Sequence, residues 1–260
     1  MTIPIRCIFW VIALTFVFLN FSRDGLNYLP AQSITFQSGP EQVSLIEQFT
    51  SEGCASCPPS DEWVSGLKSA DGIWKKYIPV SFHVDYWDRL GWRDRYSTRA
   101  FTQRQYTYSS FWKSKQVYTP AFAINGREWK NWSPEKAVPV SDHRPGILKV
   151  EAVSNHVFTA TFEPSDPEIK QWRAVGVLLG FNIQSPVSAG ENAGKNLKHD
   201  FVVLDFQDRL MEKTGGKFMS PLELKPPPGV RAPRYGVAVW ITRDNDLIPA
   251  QVTGGYLSQS

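Results

Sequence analysis

The stretch Phe49-Thr50-Ser51-Glu52-Gly53-Cys54-Ala55-Ser56-Cys57-Pro58-Pro59 decides how this chain is read. Before it, Val43-Ser44-Leu45-Ile46-Glu47-Gln48-Phe49 is mostly apolar and reads as a buried strand that ends at Thr50-Ser51-Glu52-Gly53. After it, Pro58-Pro59-Ser60-Asp61-Glu62 opens a helix reaching about Lys68, because a proline in the first helical turn forfeits no hydrogen bond. Ile78-Pro79-Val80-Ser81-Phe82-His83-Val84 is the next apolar run. Strand, helix and strand over this length predict a βαβ unit with parallel pairing.

Cys54 and Cys57 therefore stand between a strand and a helix start. A thiolate in that position faces unpaired backbone donors and the positive end of the helix dipole, which lower its pKa. A second thiol one turn on is placed to attack a mixed disulfide that the first has formed. Cys54 is read as the attacking thiolate and Cys57 as the resolving thiol of a thiol–disulfide oxidoreductase. Two other readings stay open. One is a non-enzymatic binding or scaffold module in which the pair is a fixed disulfide. The other is a metal site of Cys54, Cys57 and His83, which lacks an obvious fourth ligand in a chain with three Cys and four His. The βαβ setting favours the redox reading. No cofactor and no resident metal are expected, and the partner implied is a protein or small-molecule thiol or disulfide.

His83 and Asp85 lie two residues apart at the end of the second strand and so on one face. They read as supporting residues, an imidazole that tunes the thiols and a carboxylate that holds the ring; the alternative is a hydrogen-bonded pair fixing the aromatic loop Tyr86-Trp87-Asp88-Arg89-Leu90-Gly91-Trp92. A helix is predicted from about 98 to 113. Asn125-Gly126 between Ala121-Phe122-Ala123-Ile124 and Arg127-Glu128-Trp129 is a hairpin signal, and Ser133-Pro134-Glu135 predicts a short helix capped by Ser133. Beyond 142–146 the pattern turns to strands, at 147–153, 157–162, 174–181, 201–205 and 235–241, which predicts a mainly antiparallel, sandwich-like β domain. Trp87, Trp92, Trp112, Trp129 and Trp132 read as packing of the insertion in preference to a groove for an apolar partner.

At the start of the chain, Arg6 precedes an apolar run from Cys7 to Leu19, the layout of a secretory signal. The run is short for a membrane span, which needs about 20 apolar residues. Cleavage after Ala31 gives a periplasmic or secreted protein; retention leaves a membrane anchor at residues 7–21 and makes that segment the sole membrane contact. With Cys7 in the leader, a single close Cys pair remains, which is not the pattern of a disulfide-stapled mini-fold. A net charge of +3 without a dense Lys/Arg run gives no case for nucleic acid.

Four motifs in order carry a resemblance: Phe49 to Pro59 as quoted, His83-Val84-Asp85-Tyr86-Trp87-Asp88-Arg89-Leu90-Gly91-Trp92, Val117-Tyr118-Thr119-Pro120, and Gly190-Glu191-Asn192-Ala193-Gly194. Together they resemble the DUF1223 family of secreted thioredoxin-like proteins, over nearly all of the chain after residue 42. The resemblance implies an α/β fold: a thioredoxin-like domain at 43–142 and a β-rich domain at 146–260, preceded by a leader or anchor at 1–31 and a tether at 32–42. It also implies a cis Thr119-Pro120 bond facing the cysteines, with Thr119 and Pro120 presenting backbone hydrogen bonds to substrate. The family carries no assigned activity, so function rests on the residues themselves. Two departures from thioredoxins stand out. The position of their buried acid falls on Gln48, with Glu47 on the opposite face of the strand, and Gly53 replaces the aromatic residue that usually precedes the first cysteine. The Gly190 to Gly194 segment reads as a loop that either closes over the site or simply joins two strands.

Overall fold

The computed structural model describes residues 34–130 and 132–258. The expected leader or anchor at 1–31, Cys7 included, lies outside the described residues.

Two antiparallel neighbours show why so much of the chain becomes strand. β8 (Trp172–Phe181) and β14 (Arg234–Arg243) pair along their whole length, Trp172 opposite Arg243 and Phe181 opposite Arg234. Val237, Val239 and Ile241 of β14 enter one apolar core, while Ala238 and Trp240 enter another. A strand buried on both faces has no polar side to show, so its sequence is continuously apolar while its period of two persists in where the side chains go.

β8 and β14 belong to an eight-stranded sheet. Its order is β15 (Pro249–Tyr256), β14, β8, β11 (Val202–Leu210), β3 (Tyr77–His83), β2 (Ser44–Thr50), β4 (Ala121–Ile124) and β5 (Arg127–Glu128). A five-stranded antiparallel sheet runs β1 (Thr35–Gln37), β6 (Gly146–Ser154), β7 (Val157–Pro164), β13 (Lys217–Glu223), β12 (Glu212–Thr214). Leu148, Val150, Phe158, Phe162 and Phe218 of this second sheet share a core with the β14 valines. β9 (Ile183–Pro186) and β10 (Asn196–His199) form a separate pair. Part of the expected tether is therefore β1, held against β6.

The expected class, an α/β thioredoxin-like domain followed by a mainly antiparallel β domain, is overturned. Strand makes up 43% and helix 12% of the structure, with two short α-helices among the described residues. The cause is the seam between β3 and β11. Val202 lies parallel to Ser81, and Ser81 N–H donates to the Phe201 carbonyl at 2.8 Å. Strands from both sides of 142–146 thereby hydrogen-bond into one mixed sheet.

Around the cysteines the local expectations fare better. β2 and β3 run parallel from Ser44 opposite Tyr77 to Thr50 opposite His83, joined by α1 (Pro58–Gly66). α2 (Arg99–Phe111) is capped by Thr98, whose Oγ1 accepts from Phe101 N–H. Asn125 and Gly126 both take positive φ, 47° and 78°, as a tight hairpin between β4 and β5 requires. The helix predicted at Ser133 does not form. A single turn closes there, Lys136 N–H to Ser133 O, and a nucleus that short has too few hydrogen bonds to offset its ordering. β2 places α1 and α2 on opposite faces: Gln48 bonds to α1 residues and Glu47 to Arg104 of α2.

Candidate functional site

β2 ends at Thr50 and the chain turns through Ser51 to Gly53, closed by Cys54 N–H donating to Ser51 O at 3.1 Å. Cys57 is the N-cap of α1, which has proline in its first turn and no side chain capping its donors. Cys54 and Cys57 are joined as a disulfide, Cα atoms 5.4 Å apart, and both are fully buried.

The Thr119-Pro120 bond is cis, and the Thr119 carbonyl oxygen lies 3.8 Å from Cys54 Sγ and accepts from Ser56 Oγ at 3.5 Å. Cys54, Cys57, Thr119 and Pro120 are thus brought together from elements far apart in the chain. Gly53 is explained by Trp87: a Cβ at residue 53 would stand 3.0 Å from Trp87 Cβ. The indole donates to Thr119 Oγ1 at 2.8 Å, so Trp87 touches both the turn before Cys54 and the loop before Pro120.

A cover arrives from the far half of the chain. Asn192, fully buried, donates from Nδ2 to the carbonyls of Glu52 and Cys54, each at 2.9 Å. Glu191 accepts from Ala55 N–H at 3.1 Å. Gly190, at φ 74°, sits against Trp92, where a Cβ would come within 3.3 Å of the tryptophan Cβ. The segment from Gly190 to Gly194 lies in the connection from β9 to β10 and also bonds over the cysteines, so both of its readings hold.

His83 and Asp85 are not partners. His83 Nδ1 pairs with Asp94 Oδ2 at 2.6 Å, both residues sealed from solvent. Asp85 accepts from Thr102 Oγ1 at 2.6 Å and lies 4.0 Å from Arg99, so it fixes the start of α2. Two-residue spacing put them on one face of an extended chain, but β3 stops at His83 and the chain turns away.

Behind the disulfide lies a buried cluster that spacing did not announce. Asp61 stands one turn after Cys57 on α1, and its Oδ1 accepts from Gln48 Nε2 and Thr50 Oγ1, both at 2.8 Å. The acid absent from position 48 is therefore supplied by the helix and held by Gln48. His199, from β10, places Nδ1 3.6 Å from Asp61 Oδ2 and Nε2 3.4 Å from Glu52 Oε1. The rings of His83 and His199 meet edge to face, centroids 5.1 Å apart. Glu52 is tied down by Trp92 Nε1, which donates to Oε2 at 2.7 Å. The sequence signals were modest: Glu52 and Asp61 flank the Cys pair, whereas Asp94 and His199 arrive through tertiary structure.

Charge follows from this packing. Burial alone would lower the His83 pKa, but the Asp94 carboxylate in contact with it, with Asp61 and Glu52 near by, raises it to about 9. Burial pushes Asp94 up, and the charge and hydrogen bond of His83 outweigh that and lower it. Glu52 is likewise lowered, burial being offset by His199 beside it, whereas burial prevails at Asp61 and raises it against the charges of His199 and His83.

Among the described residues no group of three or more His, Cys, Asp or Glu is placed to hold a metal ion. The geometry agrees: Glu52 and Asp61 lie on opposite nitrogens of one imidazole, so they do not converge on a point. A cavity of about 410 Å³, lined by Ile34, Ala152, Phe158, Tyr235 and Leu257 among others, includes none of these residues in its walls. No described helix is long and apolar enough to cross a membrane.

No curated protein matches the chain. Among solved structures it is similar to protein AGR_C_4864 from Agrobacterium tumefaciens, at 23% identity and a TM-score of 0.57 over 84% of this chain and 96% of that one. It is also similar to HBP35 of Porphyromonas gingivalis, at 16% identity and a TM-score of 0.59 over 85% of this chain and 76% of that one. At such identities the likeness extends to the fold alone. Residues 45–242 match the model of a family described as a protein of unknown function, DUF1223, and the chain belongs to that family.

Proposed function

We propose that the chain performs thiol–disulfide exchange outside the cytoplasm, with Cys54 as nucleophile and Cys57 as resolving thiol. The observation that carries this reading is the disulfide at the uncapped N-terminus of α1, with the Thr119 carbonyl of the cis Thr119-Pro120 bond 3.8 Å from Cys54 Sγ. Opening the pair gives a thiolate at the positive end of the α1 dipole, which favours the charged form. The substrate is a protein or small thiol or disulfide, and Thr119 supplies the backbone acceptor next to the reacting sulfur. Export rests on Arg6 and the apolar run after it, and on the compartments in which disulfides persist.

Exchange requires access, and both cysteines are fully buried beneath Asn192 and Glu191. That burial favours a second reading, a fixed disulfide that ties the start of α1 to the site walls. Two measurements separate them. A Cys57→Ser variant in the native compartment is expected to accumulate mixed disulfides through Cys54. Equilibration with glutathione is expected to give a reduction potential above about −300 mV, whereas a structural bridge lies lower. A lower potential together with no trapped partner excludes exchange.

A further inference from the structure

Exchange at Cys54 needs a way in, and the cover is not equally fixed along its length. β9 and β10 form an arm that pairs with no other strand. Its underside is sealed: Ile183, Ser185, Val187, Leu197 and His199 are buried, and the strand residues alternating with them are exposed. Its root is pinned as well. Lys68 Nζ donates to Asn182 Oδ1 at 2.9 Å and to Asp200 Oδ2 at 2.8 Å, and Asp200 Oδ1 accepts from Asn182 N–H at 2.8 Å. One clasp thus joins both ends of the arm to the turn that follows α1.

The tip is held differently. From Ser188 to Asn196, Asn192 is the one buried residue; Ala189 is half-buried and the others are exposed. Two backbone bonds close the base of the tip, Val187 N–H to the Lys195 carbonyl at 2.9 Å and Gly194 N–H to the Val187 carbonyl at 2.8 Å. Beyond that base, the bonds that tie it to the cysteine turn come from the side chains of Asn192 and Glu191. Segments with so little buried surface open locally, at lower cost than the fold as a whole.

Asn192 itself is a polar plug with its amide fully used. Nδ2 donates to the Glu52 and Cys54 carbonyls, and Oδ1 accepts from Lys195 Nζ at 2.9 Å. An apolar side chain in that place would have to be driven into water each time the cover lifted. An amide trades each bond for one to water, so its net cost of leaving is small. Gly190 and Gly194 stand two residues to either side, at φ 74° and 83°. Lacking a Cβ, glycine takes either sign of φ, and a Cβ on Gly194 would meet nothing within 4 Å, so no packing holds that position.

From this arrangement we infer that residues 188–196 are a gate over Cys54 and that Asn192 is its latch, an inference that rests on the exchange reading above. The tip swings off on Gly190 and Gly194 while the root and underside of the arm stay in place. Opening frees the Glu52 and Cys54 carbonyls and the Ala55 N–H together, a row of backbone groups beside the sulfur that the Thr119 carbonyl also faces. Asn192 takes no part in the sulfur chemistry. It sets how often the disulfide can be reached.

The test is the rate at which dithiothreitol reduces the Cys54–Cys57 disulfide in the full chain under native conditions, read by quenching with a mass-tagged alkylating agent. Asn192→Ala removes both carbonyl bonds and is expected to speed reduction at least about tenfold. Glu47→Gln, which weakens the fold from the α2 face of β2, is expected to leave the rate unchanged. An unchanged rate in Asn192→Ala overturns the gate. So does an acceleration in Glu47→Gln as large as that in Asn192→Ala, because reduction then proceeds through global unfolding. If Asn192→Ala does not fold, the urea dependence of reduction in the unaltered chain decides: a local opening gives a rate nearly flat below the unfolding transition, and a slope equal to that of global unfolding overturns the gate. Dithiothreitol needs no physiological partner, so the two readings fail separately. A working latch in a protein with a low potential and no trapped partner removes exchange alone, and trapped partners with a rate indifferent to Asn192 remove the gate alone.

Discussion

The two faces of β2 carry buried charge in opposite ways. On the α2 face, Glu47 accepts from Arg104 Nε at 2.6 Å through one oxygen and from Tyr108 Oη through the other, so both oxygens are satisfied. Arg104 lies 5.2–5.4 Å from the ring centroids of Phe82, Tyr108, Phe206 and Trp240, and Tyr108 also reaches the Leu247 carbonyl at 3.3 Å. On the α1 face, Glu52, Asp61, His83 and His199 each keep an orphaned atom. The first arrangement is a lock in which both carboxylate oxygens are engaged. The second is looser, Glu52 and Asp61 facing the His199 imidazole at 3.4 and 3.6 Å, beyond ordinary hydrogen-bond length.

The contrast predicts where stability and reactivity part company. Glu47→Gln leaves the Arg104 guanidinium buried without its counter-charge and is expected to cost about 3–5 kcal/mol, read as a drop in urea midpoint, with Cys54 alkylation in the reduced protein unchanged. A change in thiol reactivity of the same size would show that the two faces are coupled.

His83→Gln is expected to cost about 1–3 kcal/mol near neutral pH, because Asp94 stays buried with a weaker partner. Its pH dependence is the sharper readout. The His83 pKa is about 9 folded and about 6.5 in the unfolded chain, so its contribution is complete below pH 6.5 and lost as pH rises through 9. Asp94 and Glu52 run the other way, their contributions present above the unfolded carboxylate pKa and lost on acidification. Thermal melts are therefore expected to decline between pH 6.5 and 9 in the parent protein and to flatten there in the variant. An unchanged alkaline slope removes the His83–Asp94 pair as its cause.

The smallest expected effect lies at the rim. Glu191→Gln keeps the bond to Ala55 N–H and is expected to change stability by no more than about 0.5 kcal/mol. It removes a negative charge next to Cys54, so alkylation by anionic iodoacetate is expected to rise a few-fold relative to neutral iodoacetamide. A constant ratio would show that the carboxylate does not act on the thiol.

Much of the cysteine corner was legible because its signals are local. The strand before Cys54, the prolines after Cys57, the Asn125-Gly126 turn and the helix start near Thr98 each act within a few residues. The partner of His83 was not, since Asp94 sits eleven residues on at the far side of an aromatic loop, whereas Asp85 was the nearer carboxylate. His199 comes from a four-residue strand whose exposures alternate and whose one neighbour is β9, too short to show a period. β13 was not among the predicted strands, although Phe218, Ser220 and Leu222 are buried and their neighbours exposed; Pro221 in its middle is a residue that strands usually confine to edges and bulges. The fold class went astray at the β3–β11 seam, because two apolar strands give no sign of whether they will meet edge to edge.

The bonds from Asn192 to Glu52 and Cys54 have a consequence for how the molecule comes into being. Asn192 is made 138 residues after Cys54, which at about 5–20 residues per second is a delay of roughly 7–28 s. In the later part of that interval, once β4 has been made, the two cysteines have their helix and strands within reach but neither their cover nor His199. The nascent chain thus passes through a period in which the pair is open to whatever thiols and disulfides surround it, before the last third of the chain shuts it in.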